Sequence, residues 1–193
     1  MREIILASAS PRRKDILKKA GIKFKSLKSN LNENLLIKSL TNIVTFQSLV
    51  KILSAAKGIS ITQKAGQRKI ISAFDTIVVC KNKIITKPKN KKDALKKLLF
   101  ISNKEHKVLT GIFIFDLKSK TVISDYEVTS IKMKKITIND AIKYIKTKEP
   151  FGKAGCYAIQ GKGGRFIKSI NGDYNNVVGL PLKKYLSLLK RLN

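Results

Sequence analysis

Apolar residues come in short blocks along this chain, and the spacing within each block separates strands from helices. Residues 3–7, Glu-Ile-Ile-Leu-Ala, read as a short buried strand. A helix is predicted over 11–20, with Ser10 as its N-cap, Pro11 as its first residue and Gly21 as its stop. Residues 22–27 read as extended and 29–34 as a polar, Asn-rich loop. The stripe Leu49, Ile52, Leu53 and Ala56 predicts a second helix over 45–57, ended by Gly58. Residues 69–80 are apolar without alternation, the pattern of a strand buried on both faces.

A turn at 81–83 leads into Ile84-Ile85, and a helix follows over 91–100. Residues 106–117 and 121–133 form a long hairpin around Lys118-Ser119-Lys120. Thr137-Ile138-Asn139-Asp140 resembles a capping box and starts a helix that stops near Thr147, before Pro150. The Gly-rich stretch 151–164 reads as a loop with a short helix, 165–170 as a strand, 171–176 as another polar loop, and Leu180-Pro181-Leu182 opens the last helix. Interleaved strands and helices with one antiparallel hairpin give an α/β class: a mixed sheet with flanking helices, in a single domain over 1–193.

Composition changes this picture in three ways. No apolar run approaches the roughly 18 residues of a membrane span, and the apolar segment after Met1-Arg2 is too short for a signal peptide, so the expected location is the cytoplasm. Cys80 and Cys156 have no thiol or imidazole neighbour at metal-ligand spacing and are expected to be reduced and structural. The net charge of +29 invites a nucleic-acid reading. Only 6 of the 41 basic residues are Arg (2, 12, 13, 68, 165 and 191), whereas nucleic-acid surfaces lean on Arg forks and aromatic stacking. A solvated lysine surface that attracts small polyanions is therefore preferred, with no specific nucleic acid expected.

Candidate chemistry gathers at two places. In Ser8-Ala9-Ser10-Pro11-Arg12-Arg13 a strand gives way to a helix. Two arginines at the positive end of a helix cost about 0.3–1 kcal/mol each unless an anion sits there. Backbone N–H groups, two hydroxyls and two guanidinium forks converging there suit a phosphate; the competing reading is that Ser10 only caps the helix while both arginines face solvent. Asp75, in the most apolar strand, must be paired, bind a cation or lie at the mouth of a cleft, because a bare carboxylate is costly to desolvate. A structural ion pair with a lysine is the alternative. Glu33, Lys57 and Lys87 are undistinguished alone, and Gln160 would suit hydrogen bonding to a base edge or capping of a backbone group. His106, the only imidazole, has no acidic partner evident in sequence, and no Walker A loop, dinucleotide fingerprint or nucleophile elbow is present.

Six blocks carry a family resemblance. Residues 4–13 (IILASASPRR), 75–79 (DTIVV), 87–89 (KPK), 106–111 (HKVLTG), 153–161 (KAGCYAIQG) and 176–182 (NVVGLPL) resemble the Maf family in order and spacing across the whole chain. That resemblance implies two lobes around a central cleft, as in the related ITPase-like enzymes. The implied reaction is hydrolysis of nucleoside triphosphates to monophosphate and pyrophosphate, with removal of surplus or non-standard nucleotides as the purpose. It also implies a divalent cation (Mg, Mn or Co) and often a homodimer.

By the same resemblance Ser8, Ser10, Arg12 and Arg13 bind phosphate, and Asp75 is the catalytic acid–base residue. Glu33, Lys57 and Lys87 are further catalytic residues, with Asp75 and Glu33 facing the metal. Arg12, Thr76 and Gln160 match positions associated with substrate choice. The form Tyr157-Ala158-Ile159-Gln160-Gly161 resembles the branch acting on dTTP and UTP, since the branch acting on 7-methylguanosine triphosphate carries Ser-Glu-Gly there. Phe74, Thr86, Gly152, Asn30 and Asn32 depart from the common pattern. The alternatives are a pyrophosphatase for 7-methylguanosine triphosphate or another non-standard purine, and a non-enzymatic nucleic-acid-binding or cell-division regulator.

Overall fold

The computed structural model describes residues 3–67 and 69–192; the readings made at Met1, Arg2 and Arg68 lie outside them. Seven strands form one mixed sheet. They are β1 (Ile4–Leu6), β2 (Phe24–Ser26), β3 (Ile70–Cys80), β4 (Lys83–Ile84), β5 (Glu105–Asp116), β6 (Thr121–Met133) and β7 (Ile167–Asn171). Their order is β2-β1-β3-β5-β6-β7, with β4 on the end of β3. The pairs β1/β2 and β1/β3 are parallel, while β3/β4 and β6/β7 are antiparallel. The expected α/β class with a mixed sheet is what forms.

The chain divides into two compact units, each built from separate stretches. The first takes residues up to Asp75, then 110–127 and 179 onward. It holds helices α1 (Pro11–Lys19), α2 (Glu33–Leu40), α3 (Phe46–Ile59), α4 (Thr62–Ala65) and, near the C-terminus, α8 (Leu182–Leu189). Ile5, Ala7, Ile61, Ile71, Ala73 and Phe113 make one of its cores. The buried Tyr185 of α8 meets Phe74 edge to face at 5.1 Å and shares a 2.7 Å hydrogen bond with the Ser72 hydroxyl.

Helix α1 starts as predicted, with Ser10 as N-cap and Pro11 at the first position, and Gly21 follows its end with φ +69°. Two expectations need correction in this unit. Glu33 does not lie in a loop; it opens α2, whose N-cap Asn32 accepts from the Leu35 amide at 3.4 Å. The α2 helix buries none of its residues completely; Leu36, Ile37 and Leu40 are half-buried on one face, a stripe that is short and follows an Asn-rich start. Gly58 does not end α3, which runs to Ile59. A Cβ there would strike the Phe113 ring and come within 3.4 Å of Ala73, so the glycine serves close approach of helix to sheet. Short α4 was not foreseen.

The second unit takes 76–109 and 128–178, with α5 (Lys91–Ile101), α6 (Ile138–Lys146) and α7 (Tyr174–Val178). Its core includes Val78, Leu98, Ile131, Met133, Tyr144 and Phe166. Cys80 and Cys156 are buried here with free thiols, and burial pushes the Cys156 thiol up to about 12. The polar loop expected over 171–176 instead runs into α7. The late strand begins at Ile167, because Lys162–Phe166 winds as a 3-10 turn that takes in Arg165.

His106 is buried in this unit, sharing a 2.8 Å hydrogen bond between its Nε2 and the Tyr157 hydroxyl, while its Nδ1 has no partner among the described residues. Desolvation pushes its pKa from 6.5 down to about 4. The unfolded chain takes up the proton near 6.5 and the folded one near 4, so the stability from a neutral imidazole is complete above the first value. It is lost as pH falls toward the second, to a total of about 3 kcal/mol. Because the chain has a single histidine, its imidazole proton resonance is unambiguous. Titrated by NMR, that resonance should hold still from pH 8 to 5.5, and a midpoint near 6.5 would contradict the buried placement.

Candidate active site

The anion-binding expectation centres on the turn from β1 into α1. The Ser8 hydroxyl accepts from the Ser10 amide at 3.2 Å, the Ser8 carbonyl accepts from the Ser26 hydroxyl at 2.6 Å, and the Ser10 hydroxyl caps the Arg13 amide at 3.5 Å. Arg13 folds inward instead of facing solvent. Its Nε donates to the Gly179 carbonyl at 2.7 Å and its Nη1 to the Ser8 hydroxyl at 3.3 Å, so one guanidinium ties the start of α1 to the segment before α8. Arg12 is half-buried, and its guanidinium makes no hydrogen bond or ion pair with the described residues. The pair therefore splits into one arginine committed to the protein and one available to an anion.

Lys57, in the last turn of α3, is buried between two carboxylates. Its ammonium pairs with Asp75 Oδ1 and reaches Glu33 Oε1 at 2.9 Å. Asp75 is 2% exposed, and Glu33 stands at the first turn of α2, where the helix dipole favours a negative charge. This cluster joins two residues that sequence left undistinguished to the one that it singled out. Asp75 neither stands alone nor pairs with just any lysine: two carboxylates converge on one buried cation.

Burial raises the Asp75 pKa above the usual carboxylate value, and the nearby Glu33 charge raises it further, against the pull of Lys57 and Arg13. Arg13 feels the same fields in reverse. Desolvation lowers its pKa, while Asp75 and Glu33 hold its charge in place. With Arg13, Lys57 and Asp75 buried and Glu33 half-buried, two cations face two carboxylates, and Arg12 adds a further cation beside Arg13.

The donor set bears on a metal. Asp75 and Glu33 already hold one cation between them, the Lys57 ammonium, which engages Oδ1 of the first and Oε1 of the second. Among the described residues no cluster of three or more His, Cys, Asp or Glu is placed to hold a metal. A divalent ion at these two carboxylates would need substrate phosphates to complete its shell.

Ser8, Ser10, Arg12, Arg13, Glu33, Lys57 and Asp75 all belong to the first unit, whereas Thr76, Lys87 and Gln160 belong to the second. Thr76 is half-buried in β3, and Lys87 is exposed, its carbonyl accepting from Lys97 Nζ at 3.2 Å. Gln160 is exposed at the third position of a turn closed by the Gly161 amide on the Ala158 carbonyl at 3.2 Å. Sequence reasoning gave no role to Gly179. It lies in the quoted block 176–182, but a backbone carbonyl carries no side-chain signature.

Comparison with known proteins adds an independent line. A family model described as "Maf: Maf-like protein" matches residues 3–192. A protein of Clostridium botulinum (strain Okra / Type B1) named "dTTP/UTP pyrophosphatase" is 41% identical over 194 aligned residues, covering 100% of this chain and 98% of its own. One from Ruminiclostridium cellulolyticum with the same name is 42% identical, covering 100% of this chain and 97% of its own. Among solved structures, a HAM1 protein from Coxiella burnetii is similar with a TM-score of 0.40 and 15% identity over 69% of this chain and 73% of its own. No helix among the described residues is long and apolar enough to cross a membrane.

Proposed function

The chain belongs to the Maf-like protein family, and from that membership we propose that residues 1–193 act as one domain hydrolysing dTTP and UTP to the nucleoside monophosphate and pyrophosphate. The relatives that match it end to end carry the name dTTP/UTP pyrophosphatase, which supports a nucleoside triphosphate pyrophosphatase. The observation that carries the chemistry is the buried cluster of Lys57 between Asp75 and Glu33. In this reading water attacks the α-phosphorus, a new P–O bond forms, the α–β anhydride bond breaks, and pyrophosphate leaves.

Asp75 takes the proton of the attacking water, since desolvation makes it more basic than an ordinary carboxylate. Lys57 fixes that carboxylate in place, and Glu33 holds Lys57 from the other side. Arg12, together with Ser8, Ser10 and the amides at the start of α1, binds phosphate oxygens; Arg13 shapes that turn and adds its charge. Lys87 is assigned to the polyphosphate as a further cation, and Thr76 to a polar contact with the substrate. Asp75 and Glu33 would hold a divalent ion (Mg, Mn or Co), which when bound neutralises phosphate charge. The same proposal places the protein in the cytoplasm, where its substrates are, and as a homodimer.

Gln160 reads the base. Its amide offers a donor and an acceptor together, which match the adjacent N3–H and carbonyl oxygens of thymine or uracil. Cytosine lacks that N3–H. A panel of dTTP, UTP, CTP, GTP and 7-methylguanosine triphosphate with pyrophosphate detection should give the highest kcat/KM for dTTP and UTP. Gln160→Ala should shrink their advantage over CTP by about tenfold or more. A guanine-type preference, or salt-dependent DNA binding without turnover, would instead select one of the other readings.

A further inference from the structure

The segment that carries Gln160 is held by two side chains to which neither the resemblance nor the relatives' names give a role. Glu149 stands just after α6, and its carboxylate reaches across to the Gly-rich stretch, where Oε2 accepts from the Lys162 amide at 3.0 Å and Oε1 from the Gly163 amide at 2.9 Å. The Tyr144 hydroxyl donates to the same Oε1 at 2.7 Å and accepts from the Ala158 amide at 3.0 Å. The turn from Ala158 to Gly161 is thus gripped just before Gln160 and just after it, by two groups bonded to each other.

Several features show that this grip is built and not incidental. Tyr144 is 1% exposed, and its ring packs edge to face on Phe166 at 5.3 Å, so its hydroxyl has a fixed place. The glycines leave room for it. A Cβ on Gly161 would come within 2.5 Å of the Glu149 carboxylate, and one on Gly163 within 2.5 Å of the Tyr144 hydroxyl. The loop hydrogen bonds keep Glu149 ionised, lowering its pKa against the desolvation that would raise it. Charge-assisted bonds to consecutive amides are the stronger kind, and they fix a backbone without touching the exposed Gln160 side chain between them.

We infer that Glu149 and Tyr144 are positioning residues for base selection: they hold the turn so that the Gln160 amide is presented in one orientation. The inference rests on the proposal that Gln160 reads the base. A side chain on a loose turn would meet a matched and a mismatched base edge almost equally well. Selectivity by hydrogen bonds needs the partner held before the ligand arrives.

The test uses Glu149→Gln and Tyr144→Phe, each alone and combined with Gln160→Ala, with kcat/KM measured on the full triphosphate panel and melting followed by circular dichroism. Tyr144→Phe keeps the ring on Phe166 and carries the test should Glu149→Gln fail to fold. Each single variant should cut the preferred base's advantage over the others by about tenfold, mainly through KM for the preferred substrate. In the Gln160→Ala background the same changes should cut it no further, a pattern that general loosening of the fold would not produce. An equal loss on every triphosphate, an unchanged preference, or a loss that adds to that of Gln160→Ala overturns the inference. If the wild-type enzyme prefers a purine, the pyrimidine reading falls while the variants still decide whether these residues sustain the preference. A wild type that turns over all bases alike overturns both.

Discussion

Asp75→Asn is expected to lower turnover of dTTP by about a thousandfold or more, within the range that loss of a positioned general base produces, while the protein stays folded. Asparagine keeps the shape and an oxygen for Lys57 but cannot take a proton from water. Lys57 retains Glu33 at 2.9 Å, so the substitution does not strand a buried ammonium, which would otherwise cost several kcal/mol. Steady-state kinetics with pyrophosphate detection, beside a thermal melt, separate the two effects. Wild-type turnover in the variant would make Asp75 a structural partner of Lys57 and remove the mechanism. Lost turnover with a collapsed melt would assign the residue to the fold.

Arg13→Ala should destabilise the protein by about 2–3 kcal/mol, because it removes a buried guanidinium with a 2.7 Å bond to the Gly179 carbonyl and a 3.3 Å bond to the Ser8 hydroxyl. Arg13→Lys should recover only part of this, since a single ammonium cannot reproduce the fork that serves two acceptors at once. Arg12→Ala should leave stability within about 0.5 kcal/mol and raise KM, as its guanidinium has no protein acceptor among the described residues. Urea denaturation of the three variants without substrate is the measurement. Equal stability in all three would mean that the inward fold of Arg13 contributes nothing, and that both arginines act on substrate alone.

The two arginines show how far the sequence carries. Their place at the start of α1 was legible, because Ser10-Pro11 after an apolar strand is a strong helix start and like charges at that end ask for an anion. Which of them turns inward was not, since the acceptor is a backbone carbonyl 166 residues away in the chain. Asp75 was legible as a carboxylate in an apolar strand, and β3 runs where the pattern put it, buried throughout except at half-buried Thr76. Its partners were not, because Lys57 is one lysine among 35 and Glu33 opens a short helix directly after Asn-rich residues that read as a loop. Gly58 misled for a related reason. A glycine near a helix end suggests a stop, but close packing against Phe113 explains it equally well, and only the fold separates the two. The family resemblance carried the reaction and the roles of Lys87, Thr76 and Gln160, which periodicity and charge alone did not distinguish.

Hydrolysis of dTTP by the wild-type protein in oxygen-18 water, with both products separated and weighed by mass spectrometry, tests the central claim most directly. Attack at the α-phosphorus predicts dTMP and pyrophosphate in equal amounts, with the heavy oxygen in dTMP alone. Release of dTDP and inorganic phosphate, or label in the pyrophosphate, would contradict it.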